Sequence, residues 1–147
     1  MNLGYFGAIA VLGISAAGSA IGLAIAGSGG IGAWKKCYMN NKQVPGGIIA
    51  FAGAPLTQTL YGFIVMLFMK TAADNATRNP WFLLGMGIVC GLAIATSAVA
   101  QGKAGAAGAD ALAETGQGFT NYLMVVGLCE TVAIFVLAFS ILALILF

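Results

Sequence analysis

The sequence contains no histidine and very little charge. Six Lys and Arg and four Asp and Glu make up 7% of 147 residues, whereas about 25% is usual in a soluble domain. Without histidine, neither imidazole metal ligation nor a histidine-based triad is available. The three cysteines form no Cys-x-x-Cys pair, which argues against a zinc site or a disulfide framework. A net charge of +2 does not indicate a basic surface for binding nucleic acid.

Long apolar stretches take the place of charge, and 61% of the residues are hydrophobic. They predict helices over residues 3–34, 44–70, 80–114 and 117–147, each longer than the roughly 20 residues that cross a bilayer. Pro80 is a favourable first residue for the third helix. The predicted fold class is therefore an all-α membrane protein with four transmembrane helices.

The chain repeats internally. Ser19 to Gly30 aligns with Ser97 to Gly108, and Gln58 to Phe63 aligns with Glu130 to Phe135. We therefore expect two duplicated helical hairpins within one membrane domain, over residues 1–70 and 79–147. In this register an amide, Gln58, occupies the place of the carboxylate Glu130.

Glycine is concentrated in the first and third predicted helices. Small residues let helix backbones approach closely in lipid, and two Gly-x-x-x-Gly pairs fit this pattern. The predicted helix-packing residues are Gly18, Gly22, Gly27, Gly87, Gly91 and Gly105. A ring with glycine-rich helices inside would explain the distribution, and so would tight packing within a monomeric bundle.

Glu130 is the only charged residue from Gly116 to the C-terminus. A carboxylate at mid-membrane depth is costly unless it is protonated, paired or bound to a cation, so it is a functional candidate. On the second helix, Thr57, Gln58 and Tyr61 share one face. Gln101 adds an amide from the third helix.

Because Pro55 has no N–H to donate, main-chain oxygens near these side chains can interact with groups outside the helix. The resulting excess of neutral oxygens around one carboxylate favours Na⁺ over H⁺, because a proton needs only the carboxyl group. The alternative is that these side chains merely cross-link helices by hydrogen bonds.

Several motifs together resemble the four-helix proteolipid of rotary V/A-type ATPases, of the bacterial subunit K type, over essentially the whole chain. They are the glycine-rich helices, Pro55-Leu-Thr-Gln-Thr-Leu-Tyr-Gly62, Ala100-Gln-Gly-Lys103 and Cys129-Glu-Thr131. The resemblance implies a homo-oligomeric rotor ring that carries ions and is coupled to a soluble ATP-hydrolysing head. Its implied partners are central-stalk subunits, a stator protein with an essential arginine, and membrane lipids.

The resemblance also implies the site. The Na⁺ ligands would be the Ala54 main-chain carbonyl, Thr57, Gln58, Gln101 and Glu130, and Tyr61 would hydrogen-bond to the carboxylate. The chain would be no enzyme by itself, with no nucleotide, haem or transition metal. We expect a multi-pass protein of the bacterial plasma membrane, with loops 1–2 and 3–4 cytoplasmic and both termini outside; three lysines in the first loop weakly favour this orientation.

Three other interpretations remain open at this point. The same protein could carry H⁺ instead of Na⁺. A small multidrug-type secondary transporter would also have four helices and one carboxylate, although that carboxylate is expected in the first helix. A ring could finally serve as a pore with no motor attached.

Overall fold

A computed structural model of the chain describes residues 3–146, and within this range it contains helices and no strand. Four helical segments are long and apolar enough to cross a membrane. The all-α class and the four expected helices are therefore confirmed. The elements are α1 (Leu3–Met39), α2 (Ile48–Gly53), a 3-10 turn (Ala54–Leu56), α3 (Thr57–Asp74), α4 (Pro80–Thr115) and α5 (Phe119–Leu146).

The second span is α2, the 3-10 turn and α3 taken together. It begins at Ile48, four residues later than the sequence predicts. The preceding segment contains Pro45, Gly46 and Gly47, which favour a turn over a helix. The chain ends, residues 1, 2 and 147, lie outside the described range, so the expected location of both termini concerns residues that are not described.

Local signals fix both ends of α4. The Asn79 side chain accepts a hydrogen bond from the Trp81 backbone N–H at 2.9 Å, and Pro80 follows as the first helical residue. This is a favourable N-cap. At the other end Gly116 adopts φ +68° and its N–H bonds to the Leu112 carbonyl, as a left-handed glycine cap does.

The helices α1 and α4 are longer than a bilayer requires. With 37 and 36 residues each extends about 54 Å, against about 30 Å of hydrocarbon. Their C-terminal ends are joined by Lys36, whose ammonium lies 2.7 Å from both Asp110 and Glu114. These charged ends therefore project beyond the apolar layer.

Glycine brings α1 and α4 into backbone contact. A Cβ added to Gly87 would lie 2.0 Å from the Gly7 carbonyl oxygen, and one added to Gly102 would lie 2.3 Å from that of Gly22. Gly18 is equally confined, against Ala95. The two helices thus form the central pair of the chain, with α3 packed on α1 and α5 on α4.

The other predicted packing glycines differ among themselves. Additional Cβ atoms at Gly91 and Gly105 would meet atoms at 3.0 and 2.6 Å. Among the described residues, nothing lies within 4 Å of a Cβ added to Gly27, so Gly27 makes no close helix contact there.

Two apolar clusters lie at opposite ends of the bundle. One includes Val11, Val65 and Leu83, and the other includes Cys37 and Phe51. Polar side chains are buried between them, including Ser19, Gln58, Ser97 and Gln101. The fold therefore holds a polar layer at mid-span.

Candidate ion-binding site

The site begins where the second span is interrupted. Pro55 has no N–H to donate to the carbonyl of Phe51, and that carbonyl packs instead over the Cα of Gly105, where an added Cβ would lie 2.6 Å from its oxygen. The helix tightens into the 3-10 turn at this point. The Ala54 carbonyl accepts from the backbone N–H of Thr57 and lies 3.2 Å from the Thr57 hydroxyl. Main-chain and side-chain oxygens are thereby gathered at one point.

The two buried amides link the two hairpins. Gln58 on α3 donates from Nε2 to Oε1 of Gln101 on α4 at 2.7 Å. Oε1 of Gln58 lies 3.3 Å from the Thr57 hydroxyl oxygen. Both glutamine side chains are completely buried, and each amide is held by protein partners.

The carboxylate of Glu130 receives one hydrogen bond on each oxygen. The Tyr61 hydroxyl donates to Oε1 at 2.5 Å, and Nε2 of Gln101 donates to Oε2 at 3.1 Å. Tyr61 and Glu130 are half-buried. Both donors are neutral, so the carboxylate has hydrogen-bond partners and no cationic partner within residues 3–146.

Two further contacts hold α5 at this level. The Ser97 hydroxyl donates to the carbonyl of Cys129, the residue before Glu130, at 2.7 Å. Nε2 of Gln101 also donates to the Val126 carbonyl at 3.2 Å. Ser97 is not among the site residues predicted from the sequence, although its position in the internal repeat singles it out.

All six residues predicted for the site form one continuous chain of hydrogen bonds. It runs through Ala54, Thr57, Gln58, Gln101, Glu130 and Tyr61. The set offers carbonyl, hydroxyl, amide and carboxylate oxygens, which are the ligands of hard cations. Their role as ligands stays a prediction.

In this arrangement an N–H of Gln58, not its oxygen, faces the Gln101 oxygen. A cation bound by both amide oxygens therefore requires the Gln58 amide to turn. No three acidic, cysteine or histidine side chains within residues 3–146 are grouped as a multivalent metal would need. The chemistry of the site is that of one negative charge among neutral oxygens.

Four membrane-spanning helices with a single carboxylate held between them define an integral, multi-pass membrane protein. Residues 84–143 match the family model for the ATP synthase C subunit. The chain is also 36% identical, over 97% of its length, to the A-type ATP synthase subunit K of Methanocaldococcus jannaschii. It spans 62% of the length of that relative.

The second hairpin is therefore similar to the ATP synthase C subunit, and the chain as a whole is similar to an A-type ATP synthase subunit K. The resemblance inferred from the sequence is confirmed. The matched segment contains Gln101 and Glu130. The residues that α3 contributes, Thr57, Gln58 and Tyr61, lie outside it.

Proposed function

We propose that this chain is a rotor-ring protein of an A/V-type rotary ATPase and that each copy carries one Na⁺ on Glu130. In this proposal the chain catalyses nothing alone. A soluble head hydrolyses or makes ATP and turns the ring through central-stalk subunits. The observation that carries the proposal is the mid-span carboxylate held among amide, hydroxyl and main-chain oxygens.

The physical cycle follows from the cost of charge in lipid. A carboxylate that has bound a cation is neutral overall and can face hydrocarbon, whereas an empty carboxylate cannot. Ions are therefore exchanged only where a polar stator surface covers Glu130. An arginine on that stator would stabilise the emptied carboxylate. Moving one charge against 100 mV costs about 2.3 kcal/mol.

Sodium is favoured by the number of neutral oxygens beside the carboxylate. Thr57, Gln58 and the Ala54 carbonyl add nothing that a proton on Glu130 would need. A partly dehydrated Na⁺ needs several oxygens to replace its water shell. Proton transport by the same ring is the alternative, and chemical labelling of Glu130 distinguishes the two.

The surface supports a ring within a membrane. Large apolar side chains on α3 and α5 are exposed in the single chain; those between 43% and 62% exposed include Leu60, Phe63, Leu67, Leu128, Phe135 and Phe139. In the proposed assembly these side chains contact lipid or the neighbouring copies. The charged ends of α1 and α4, with Lys36, Asp110 and Glu114, face the cytoplasm of a bacterial cell, and the loops around residues 40–47 and 116–118 lie on that side.

Carbodiimide labelling of Glu130 tests the proposal. A carbodiimide reacts with a protonated carboxyl group, so bound Na⁺ should protect Glu130 at near-neutral pH. Purified full-length protein would be labelled with and without NaCl, with KCl as the ionic-strength control, and the modified residue identified by mass spectrometry. Protection by Na⁺ alone is expected. If only alkalinisation reduces labelling and Na⁺ does not, the ring carries protons.

A further inference from the structure

One buried hydroxyl close to the site has no partner. The Ser19 side chain on α1 is 2% exposed, and its oxygen makes no hydrogen bond within residues 3–146. An unsatisfied buried hydroxyl is destabilising. The neighbouring serine one turn earlier differs, because the Ser15 hydroxyl donates to the Val11 carbonyl at 2.7 Å.

The packing of α1 against the second span places Ser19 level with Gln58. A Cβ added to Gly22 would lie 2.8 Å from Cβ of Pro55, and one added to Gly62 would lie 2.6 Å from Oγ of Ser15. These contacts fix an antiparallel register. Ser19 is three residues before Gly22, and Gln58 is three residues after Pro55. Helical spacings of three and four keep both residues on the contacting faces.

Gln58 has an unused donor to match. Its Nε2 carries two hydrogens, and within the described range it donates only to Oε1 of Gln101. The amide is completely buried, so the second hydrogen has no access to bulk solvent. An unpaired acceptor on α1 and an unpaired donor on α3 thus lie at the same level.

We propose that Ser19 is a positioning residue for the ion site. Its hydroxyl accepts a hydrogen bond from Nε2 of Gln58 when the amide turns away from Gln101, and this keeps the Gln58 oxygen directed at the cation. Proton binding at Glu130 needs no such turn, so Ser19 acts on Na⁺ binding alone. This inference rests on the proposed Na⁺ function.

The test compares Ser19→Ala with Ser15→Ala in the full-length protein. Carbodiimide labelling of Glu130 is measured against Na⁺ concentration at fixed pH, and against pH without Na⁺. Losing one neutral hydrogen bond should raise the Na⁺ concentration for half-protection about fivefold in Ser19→Ala. The pH curve without Na⁺, and both curves of Ser15→Ala, should match the unmodified protein. Ser19→Cys, which fills similar space with a weaker acceptor, should give a smaller shift.

A Gln58→Met background separates positioning from packing. If Ser19 acts through the Gln58 amide, Ser19→Ala should have no further effect once that amide is absent. An undiminished effect there would overturn the inference, as would a Ser19→Ala curve that equals that of the unmodified protein. If the unmodified protein itself shows no Na⁺ protection, the proposed Na⁺ function fails and this inference fails with it.

Discussion

The two hairpins place different side chains at corresponding positions. Gln58 is completely buried and hydrogen-bonded to Gln101. Its counterpart in the repeat, Glu130, is half-buried on α5. That helix is the least enclosed span, with 17% of its most apolar window buried against 33% in the other three. The first hairpin therefore contributes a buried amide to the site, and the second contributes the carboxylate, which lies nearer the surface of the protein.

Two further pairs of corresponding residues, close to Gln58 and Glu130, also differ between the hairpins. Ser97 bonds α4 to the α5 backbone beside Glu130, whereas the Ser19 hydroxyl has no hydrogen-bond partner in the described part of the chain. Pro55 interrupts the second span, while Gly127 at the corresponding position leaves α5 continuous. The first hairpin has a broken helix that offers oxygens, and the second has an unbroken helix that carries the carboxylate.

Replacing Glu130 by glutamine would make the hairpins alike at this position, and the largest effect is expected here. Glu130→Gln should reduce ion-coupled ATPase activity of the assembled complex to background, because no anionic group remains at mid-span. Ring assembly, measured by detergent-solubilised mass, should persist. Glu114→Gln, a carboxylate at an exposed ion pair, is the control and should retain most activity.

Moving the carboxylate to the other hairpin sharpens the same test. The double variant Gln58→Glu, Glu130→Gln has the original net charge. It should remain inactive, since position 58 is completely buried and cannot reach the protein edge for ion exchange. Recovered coupling in this variant would show that the hairpins are functionally interchangeable.

The contact that joins the hairpins is the next target. Gly87→Ala would place a Cβ 2.0 Å from the Gly7 carbonyl oxygen, forcing α1 and α4 apart. Overpacking of this kind costs about 1–3 kcal/mol or more. We expect a lower yield of folded protein and a lower thermal midpoint in detergent. Gly85→Ala lies two residues away, where no described residue comes within 4 Å of the added Cβ, and it should be neutral or slightly stabilising.

Gln101 is the one side chain within residues 3–146 that bonds to both Gln58 and Glu130. Gln101→Leu removes an amide oxygen and leaves a buried N–H of Gln58 without its acceptor. We expect about a tenfold loss of Na⁺ affinity, read from protection against carbodiimide. Proton-dependent labelling without Na⁺ should change less. Equal changes in both would argue against direct ligation, and Gln117→Leu in an exposed loop is the control.

Hydrophobic run length predicted the number of helices, because a bilayer fixes the length of each span. The helix ends were harder: α1 continues to Met39, where Lys36 bridges to Asp110 and Glu114. That contact joins residues more than seventy positions apart, and local sequence does not show it. The lone charge, the helical spacing and the resemblance predicted that five side chains lie together, and hydrogen bonds join them: Thr57, Gln58, Tyr61, Gln101 and Glu130. Their role as ion ligands stays a prediction. The orientation of the Gln58 amide and the unpaired state of Ser19 depend on tertiary packing alone.

The smallest effect should come from replacing Tyr61. This residue belongs to the first hairpin, and its hydroxyl donates to the carboxylate of Glu130 in the second hairpin. Its counterpart in the repeat is Ala133, so the second hairpin has no equivalent donor. Tyr61→Phe keeps the aromatic side chain and removes only the hydrogen bond to Oε1 of Glu130. Gln101 still donates to Oε2. Na⁺ affinity should fall about two- to fivefold. The control is Tyr38→Phe at a 69% exposed side chain; if Tyr61→Phe has no larger effect, the second hairpin alone positions its carboxylate.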